Sequence, residues 1–380
     1  MELSISTEKL KKAVSCTSRA ASGKVIQPIL NNLMLSCEIG SLLIHGTDLD
    51  VLIECKVPAN VSKTGKISLP AKKLDEIIGK IPGDDVKIQI DKNLLAKISS
   101  NKSRFQVNGV SAEDFPDIDT DSTQALKFFI KSEELYKAIS LTSFATSKFE
   151  SSSVLSGVNL SISNEKFELA ATDGSRLSRF VGNLSKSPSS EIKSQSIVIP
   201  YRAITELERL ITSFKEGNED VEISLRPGQI MFRSSDFLIS TRLINGLFPD
   251  YERLIPKSQS KKIIVLKSLL LGALERVAVL SNERTSVVKI SISKGAGEMV
   301  LSANSQDFGN ANDQIDIDYS GDDIEIAFNY KYLTEALRNL DVEKVVLELE
   351  TSLSPLIMKA ADKEKTNYSY TYLVMPVQIR

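Results

Sequence analysis

The chain contains one histidine, His45, at the end of the strand-like run Leu43-Ile44-His45-Gly46. A lone imidazole excludes every metal site built on two histidines. Nothing in the sequence pairs an acid with a base around it, so His45 reads as a structural side chain at a strand edge before a turn. Two acidic stretches mimic a calcium loop. Asp117-x-Asp119-x-Asp121 has Ser122 where the loop glycine belongs and Phe128 where the bidentate glutamate belongs. Asp316-x-Asp318-x-Ser320-Gly321 has its glycine but ends at Ala327. Both read as a linker and a strand-turn. No G-x-x-x-x-G-K-[ST] phosphate loop occurs, and in Gly295-Ala296-Gly297 the third glycine of a dinucleotide loop is replaced by Val300. Cys16, Cys37 and Cys55 are odd in number and lack C-x-x-C spacing, which predicts reduced, mostly buried thiols. No metal, cofactor or catalytic residue is expected. The hydrolytic alternative is a metal-dependent nuclease using Asp48, Asp173 or the Asp316/Asp318 pair; a repeat scaffold that binds only protein is another.

The elements that would position such residues repeat. Six times an apolar-x-apolar strand runs into an amphipathic helix: Leu3/Ile5, Ile67/Leu69, Phe128/Ile130, Ile197/Ile199, Ile264/Leu266 and Ile324/Ile326. In the first five, the residues five and eight places after the strand pair are apolar, namely Leu10/Ala13, Leu74/Ile77, Leu135/Ala138, Ile204/Leu207 and Leu271/Leu274. The sixth copy slips by two, to Leu333/Ala336. Thr7, Ser132 and Ser268 are expected to cap the odd helices, and Pro70 and Pro200 to open the second and fourth. Gly46-Thr47-Asp48 and Ala171-Thr172-Asp173 recur at equal distances from their unit starts, with Ala303-Asn304-Ser305 as a weaker third copy. One supersecondary unit was copied into a pair, and the pair three times. Each domain is then β-α-β-β-β twice over, an α+β layer of two helices on antiparallel sheet. Phe115-Pro116-Asp117 and Phe248-Pro249-Asp250 punctuate the domain ends. The boundaries fall near 122 and 259, giving domains 1–122, 123–258 and 259–380.

A chain of 380 residues with 42% apolar side chains can fill a core in each domain. The longest apolar candidate, 263–280, is broken by Lys267, Glu275 and Arg276, so no membrane span or membrane partner is expected. No charged-then-apolar leader opens the chain, and a cytoplasmic location is expected. Net charge is −2, yet the helical segments sum to a positive charge while strands and loops are acidic, as suits helices facing a polyanion. Tryptophan is absent and aromatics are few, so base stacking is not expected to carry any nucleic-acid contact.

Several strings complete the picture: Pro28-Ile29-Leu30-x-Asn32-Leu33, Ser103-Arg104-Phe105, Thr172-Asp173-Gly174-x-Arg176-Leu177, Phe248-Pro249-Asp250-Tyr251, Leu280-Ser281-Asn282-Glu283, Phe328-Asn329 and Val374-Met375-Pro376. With the threefold repeat they resemble the bacterial DNA polymerase III beta subunits, the sliding clamps of replication. The resemblance covers nearly the whole chain. It implies a non-catalytic processivity factor with three clamp domains, closing as a head-to-tail homodimer into a six-domain ring around duplex DNA, held without reading sequence. It implies DNA contacts at Lys24 and Lys72, whereas the next family contact segment reads Phe149 to Val154 with three serines. It implies a peptide-binding pocket at Leu155, Thr172, Gly174, Ser175, Arg176, Leu177, Pro249, Arg253, Leu254, Leu373, Met375 and Pro376, adjoined by Asn329, Tyr332 and Val345, with Arg176 at its rim. Its clients would be the polymerase III alpha subunit, clamp-loader subunits, and other polymerases and repair proteins with clamp-binding peptides. Ser175 stands where the family often has histidine. At the dimer contact, Phe105 and Val107 would pack on Val279 and Leu280.

Overall fold

The structure is a computed structural model that describes residues 1–21, 27–116, 120, 125–148, 153–163, 165–186, 188, 195–214, 219–282, 284–361 and 367–378. Among these residues all six strand–helix units form. The helices are α1 (Thr7–Ser18), α2 (Ala71–Lys80), α3 (Ser132–Thr142), α4 (Tyr201–Ser213), α5 (Lys267–Ala278) and α6 (Tyr330–Asn339). Each follows a strand without a break, after Ser6, Pro70, Lys131, Pro200, Leu266 and Asn329.

The register is more regular than the sequence suggested. In every helix the residue four places past the strand's last residue is buried: Leu10, Leu74, Leu135, Ile204, Leu270 and Leu333. Seven places past it, Ala13, Ala138, Leu207, Ala273 and Ala336 are also buried; in α2 the neighbour Ile78 turns inward in place of Ile77. Leu271 is therefore not the inward residue of α5. The strand pair Ile264/Leu266 is likewise displaced by one, since Ile263 and Val265 are buried and Ile264 and Leu266 only half so. A one-residue shift turns a strand's other face inward. In the sixth unit Ile326 and Phe328 form the inward pair that matches the other copies, which removes the apparent slip of two.

The hydroxyl caps expected at Thr7 and Ser268 do not form. Thr7 Oγ1 is buried without a hydrogen-bond partner among the described residues, and α5 has no side-chain cap. The first N–H of each odd helix instead donates to the chain just before a partner strand. Thr7 donates to the Asp84 carbonyl at 2.7 Å, Ser132 to Glu219 at 2.9 Å and Lys267 to Glu343 at 2.9 Å. Tertiary pairing thus satisfies a donor that a helix end otherwise leaves open. In α6, Asn329 is the cap, its side chain accepting the Lys331 N–H at 3.0 Å. Pro70 and Pro200 are the last residues of their strands, one place before the helices begin.

The chain divides into two compact units. The first comprises Met1–Tyr136, Ser185–Glu191 and Arg202–Leu243; the second comprises Lys137–Leu184, Ile192–Tyr201 and Ile244–Arg380. In the first unit a five-stranded sheet runs Asn60–Lys63, Glu2–Ser6, Asp85–Ile90, Leu95–Ser100, Ser103–Asn108. Its eight-stranded sheet runs Leu126–Lys131, Asp220–Arg226, Gln229–Arg233, Phe237–Arg242, Val51–Pro58, Ser41–Thr47, Asn32–Glu38, Gly65–Pro70. The second unit has a nine-stranded sheet in which Arg176–Asn183 pairs with Ser369–Val374, and a four-stranded sheet edged by Gly309–Asp316. All strand pairings are antiparallel. The long sheets pair residues 182–198 positions apart, which a domain-by-domain reading does not anticipate. Within the units α1 packs on α2 and α5 on α6.

Candidate functional site

In the second unit, strand Lys166–Thr172 ends in a turn built by two side chains. Thr172 Oγ1 donates to the Arg176 carbonyl at 2.5 Å and accepts the Gly174 N–H at 3.1 Å. Asp173 Oδ1 accepts the N–H groups of Ser175 and Arg176 at 2.9 and 3.1 Å. Gly174 sits at φ +88°, in the left-handed region that a side chain would strain. The turn is fixed locally by Thr and Asp accepting backbone donors.

Arg176 leaves this turn inward. It is 4% exposed, and its Nε, Nη1 and Nη2 donate to Asp173 Oδ2 at 3.0 Å, Glu335 Oε2 at 2.5 Å and the Phe144 carbonyl at 2.8 Å. The Tyr332 ring lies 4.3 Å from the guanidinium carbon. Burial opposes its charge, but the Tyr372 phenol, Glu335 and Asp173 outweigh burial and raise its pKa. Arg176 is therefore a strut joining the turn to Phe144 and α6, and not a rim group with open donors. Asp173 is consumed in the same lock, and Asp48 likewise accepts two backbone N–H groups and pairs with Arg202. Asp316 and Asp318 end and begin different strands. Among the described residues no group of three or more His, Cys, Asp or Glu is placed to hold a metal ion.

Beside the turn, Leu177 and Leu373 are directly opposed across the Arg176–Asn183 and Ser369–Val374 pairing. They share an apolar cluster with Ala170, Tyr251 and Ile357, against which Phe248 and Ile255 pack. Tyr251 is held by its hydroxyl, which donates to Glu168 Oε1 at 2.5 Å, while Arg179 grips both oxygens of that carboxylate at 2.6 Å. Two apolar side chains that neighbour this cluster in sequence are exposed, Met375 by 43% and Leu254 by 61%. Met375 is pinned by its N–H to the Ser175 carbonyl at 2.9 Å, and Val377 by its N–H to Ala327 at 2.8 Å. Ser175, Gly174 and Pro249 are exposed, Thr172, Leu155 and Pro376 half-buried. Arg253 is exposed and paired with Asp250 at 2.7 Å. Tyr332 is half-buried and its carbonyl accepts the Tyr372 hydroxyl at 2.9 Å. Val345, by contrast, is fully buried between Val265 and Ala360, a core residue without surface to offer.

The remaining expected residues lie elsewhere. Lys72 is exposed on the first turn of α2. Lys24 and residues 149–152 lie outside the described residues. Phe105 and Val107 are half-buried on Ser103–Asn108, an edge strand. Val279 is 78% exposed just past α5, with Leu280 half-buried beside it. His45 is buried in a central strand, not at a sheet edge. Cys16, Cys37 and Cys55 are free and buried. α3 carries Glu133 and Glu134 against Lys137, so the positive bias is not shared by every helix.

Antiparallel sheets that run on between repeated strand–helix units, with two helices per repeat, define a DNA clamp fold. Models of the N-terminal, central and C-terminal domains of the DNA polymerase III beta subunit match residues 1–119, 129–250 and 252–378. The beta sliding clamps of Synechococcus elongatus and Pseudomonas aeruginosa are 31% and 30% identical, over the whole of both chains. The solved sliding clamp of Bacillus subtilis is 28% identical over all of both chains, with a TM-score of 0.89. A Pseudomonas aeruginosa clamp bound to griselimycin reaches 0.91 at 28% identity, again over all of both chains. The chain belongs to the DNA polymerase III beta subunit family. It is a DNA sliding clamp of three similar domains, a processivity factor and not a catalyst.

Proposed function

We propose that clients of this clamp dock as short linear peptides on the second unit, over the floor of Leu177 and Leu373. Met375, Leu155, Leu254, Pro249 and Pro376 form the surrounding surface, Thr172, Gly174 and Ser175 one lip, and Arg253 and Tyr332 the periphery. The observation that carries this reading is the Arg176 lock, which fixes the turn whose Ser175 carbonyl holds the exposed Met375, next to the buried Leu177 and Leu373. A preformed cleft loses less ordering entropy when a flexible peptide binds. Arg176 contributes by positioning, and Asn329 by capping α6; Val345 supports the core.

Two copies would close head to tail into a ring, with Phe105 and Val107 of one copy meeting Val279 and Leu280 of the other. Edge strands at Ser103–Asn108 and Gly309–Asp316 support this, since open sheet edges invite pairing. Lys24 and Lys72 would attract duplex DNA through phosphate charge alone. Domain boundaries near 122 and 259 and a cytoplasmic location complete the proposal; no described helix is long and apolar enough to cross a membrane. The test is titration of a labelled client peptide with a leucine or phenylalanine anchor. Met375→Ala should weaken it by ~1–3 kcal/mol with the dimer intact. Undiminished affinity would place client docking elsewhere.

A further inference from the structure

The first unit contains a second copy of the turn described above, bond for bond. Thr47 Oγ1 donates to the Val51 carbonyl at 2.9 Å and accepts the Leu49 N–H at 3.0 Å. Asp48 Oδ1 accepts the N–H groups of Asp50 and Val51 at 3.1 and 2.9 Å. The outgoing strand Val51–Pro58 again pairs with a distant one, Phe237–Arg242. The two registers superimpose. Leu52 opposes Ser240 where Leu177 opposes Leu373, and Arg242 follows Thr241 as Met375 follows Val374.

One substitution stands out. Where the second unit has Gly174 at φ +88°, the first has Leu49 at φ +78°. That region is sterically disfavoured for a residue with a Cβ, and such residues concentrate at functional surfaces. Leu49 is also 47% exposed, so burial does not explain its place. Its side chain stands at a cavity of about 450 Å³, lined among others by Leu52, Pro116, Pro227 and Arg242. Arg242 is 71% exposed, and its carboxylate neighbour Asp50 is 3.7 Å away and 74% exposed. The floor is more polar than its twin, with Gln229 Nε2 donating to Ser240 Oγ at 2.7 Å.

Resting on the reading of the Thr172–Arg176 turn as a client cleft, we propose that this cavity is a second docking cleft. Its occupant is a short linear peptide in which an apolar anchor stands beside an acidic residue. The anchor seats against Leu49, Leu52, Pro116 and Pro227, and the carboxylate displaces Asp50 from its long, exposed pair with Arg242, the residue that takes the place of Met375. A bidentate guanidinium–carboxylate contact fixes such a peptide's orientation as well as its charge.

The test uses the full chain and two hexapeptides with the same photoreactive leucine, one flanked by aspartates and one by lysines. Cross-links are mapped by mass spectrometry, which reads each cleft separately. Wild-type protein should be labelled by the aspartate peptide in segments 47–52 and 227–242 as well as in 172–177 and 373–377. Arg242→Glu should lower first-unit labelling by the aspartate peptide about tenfold and restore it with the lysine peptide, leaving the second unit unchanged. Leu49→Asn, which tolerates the left-handed backbone, should lower first-unit labelling by both peptides. Second-unit labelling alone, or first-unit labelling indifferent to charge reversal, overturns the proposal while leaving the client cleft standing. Labelling of neither unit overturns both.

Discussion

Replacing Arg176 by methionine keeps an unbranched side chain in place but removes the guanidinium. Three acceptors then lose a donor: Asp173 Oδ2, Glu335 Oε2 and the Phe144 carbonyl. Asp173 retains two backbone donors on its other oxygen, and the Glu335 side chain is 36% exposed and can turn to water. The carbonyl has the least recourse; an orphaned buried acceptor costs ~1–3 kcal/mol. Adding two charge-assisted bonds that are partly replaced by water gives roughly 3–4 kcal/mol, the low end for breaking a buried ion pair. Amide exchange in segment 172–178 and at the start of α6 should therefore quicken by roughly 10²–10³-fold, with the first unit unchanged. Client peptide affinity should fall in parallel. Arg176→Lys should recover only part of both, because an ammonium cannot serve three directions of a planar fork. Exchange in Arg176→Met within about threefold of wild type would refute the lock.

His45 supplies a pH test. Burial, with Lys66 adding to it, pulls its pKa from 6.5 down to about 4. The unfolded chain then binds the extra proton first, so this contribution is complete above pH 6.5 and is lost as pH falls toward 4. The shift corresponds to roughly 3 kcal/mol. Glu54, whose Oε2 is 3.2 Å from His45 Nδ1, is raised by burial and works in the opposite sense. His45→Gln should flatten the urea midpoint between pH 7 and 4.5, and parallel curves would contradict a buried neutral imidazole. At the proposed dimer contact, Leu280→Asp should give folded monomers by light scattering; an unchanged dimer mass would remove that interface.

The six strand–helix units were legible because two periods coincide in each, a twofold strand face and a helical stripe. Legibility failed where both faces are apolar. Strand Lys261–Leu266 lies inside a nine-stranded sheet and shows Ile263, Ile264, Val265 and Leu266 in a row, so alternation could not choose the inward pair. The starts of α1 and α5 left no mark in the sequence, because the residue at each cap position is the last of a strand, Ser6 or Leu266, and makes no side-chain cap bond. The Thr-Asp-Gly-x-Arg motif was visible as a string. The inward course of Arg176 was not, because Glu335 lies 159 residues away. Val345 was carried into the pocket by resemblance, although its strand position buries it entirely. Pairing of Val51–Pro58 with Phe237–Arg242 uses backbone groups that every residue has, so it left no compositional mark.

Retention on DNA reports directly on whether the clamp closes around duplex. A ring that holds duplex by topology binds few phosphates strongly, and its persistence depends on whether the DNA has ends. Labelled clamp should be placed on nicked circular DNA by an ATP-driven loader, isolated by gel filtration, and followed before and after linearisation. A closed ring should co-elute stably with the circle and be lost rapidly once it is cut. Equal retention on circular and open linear DNA would contradict closure.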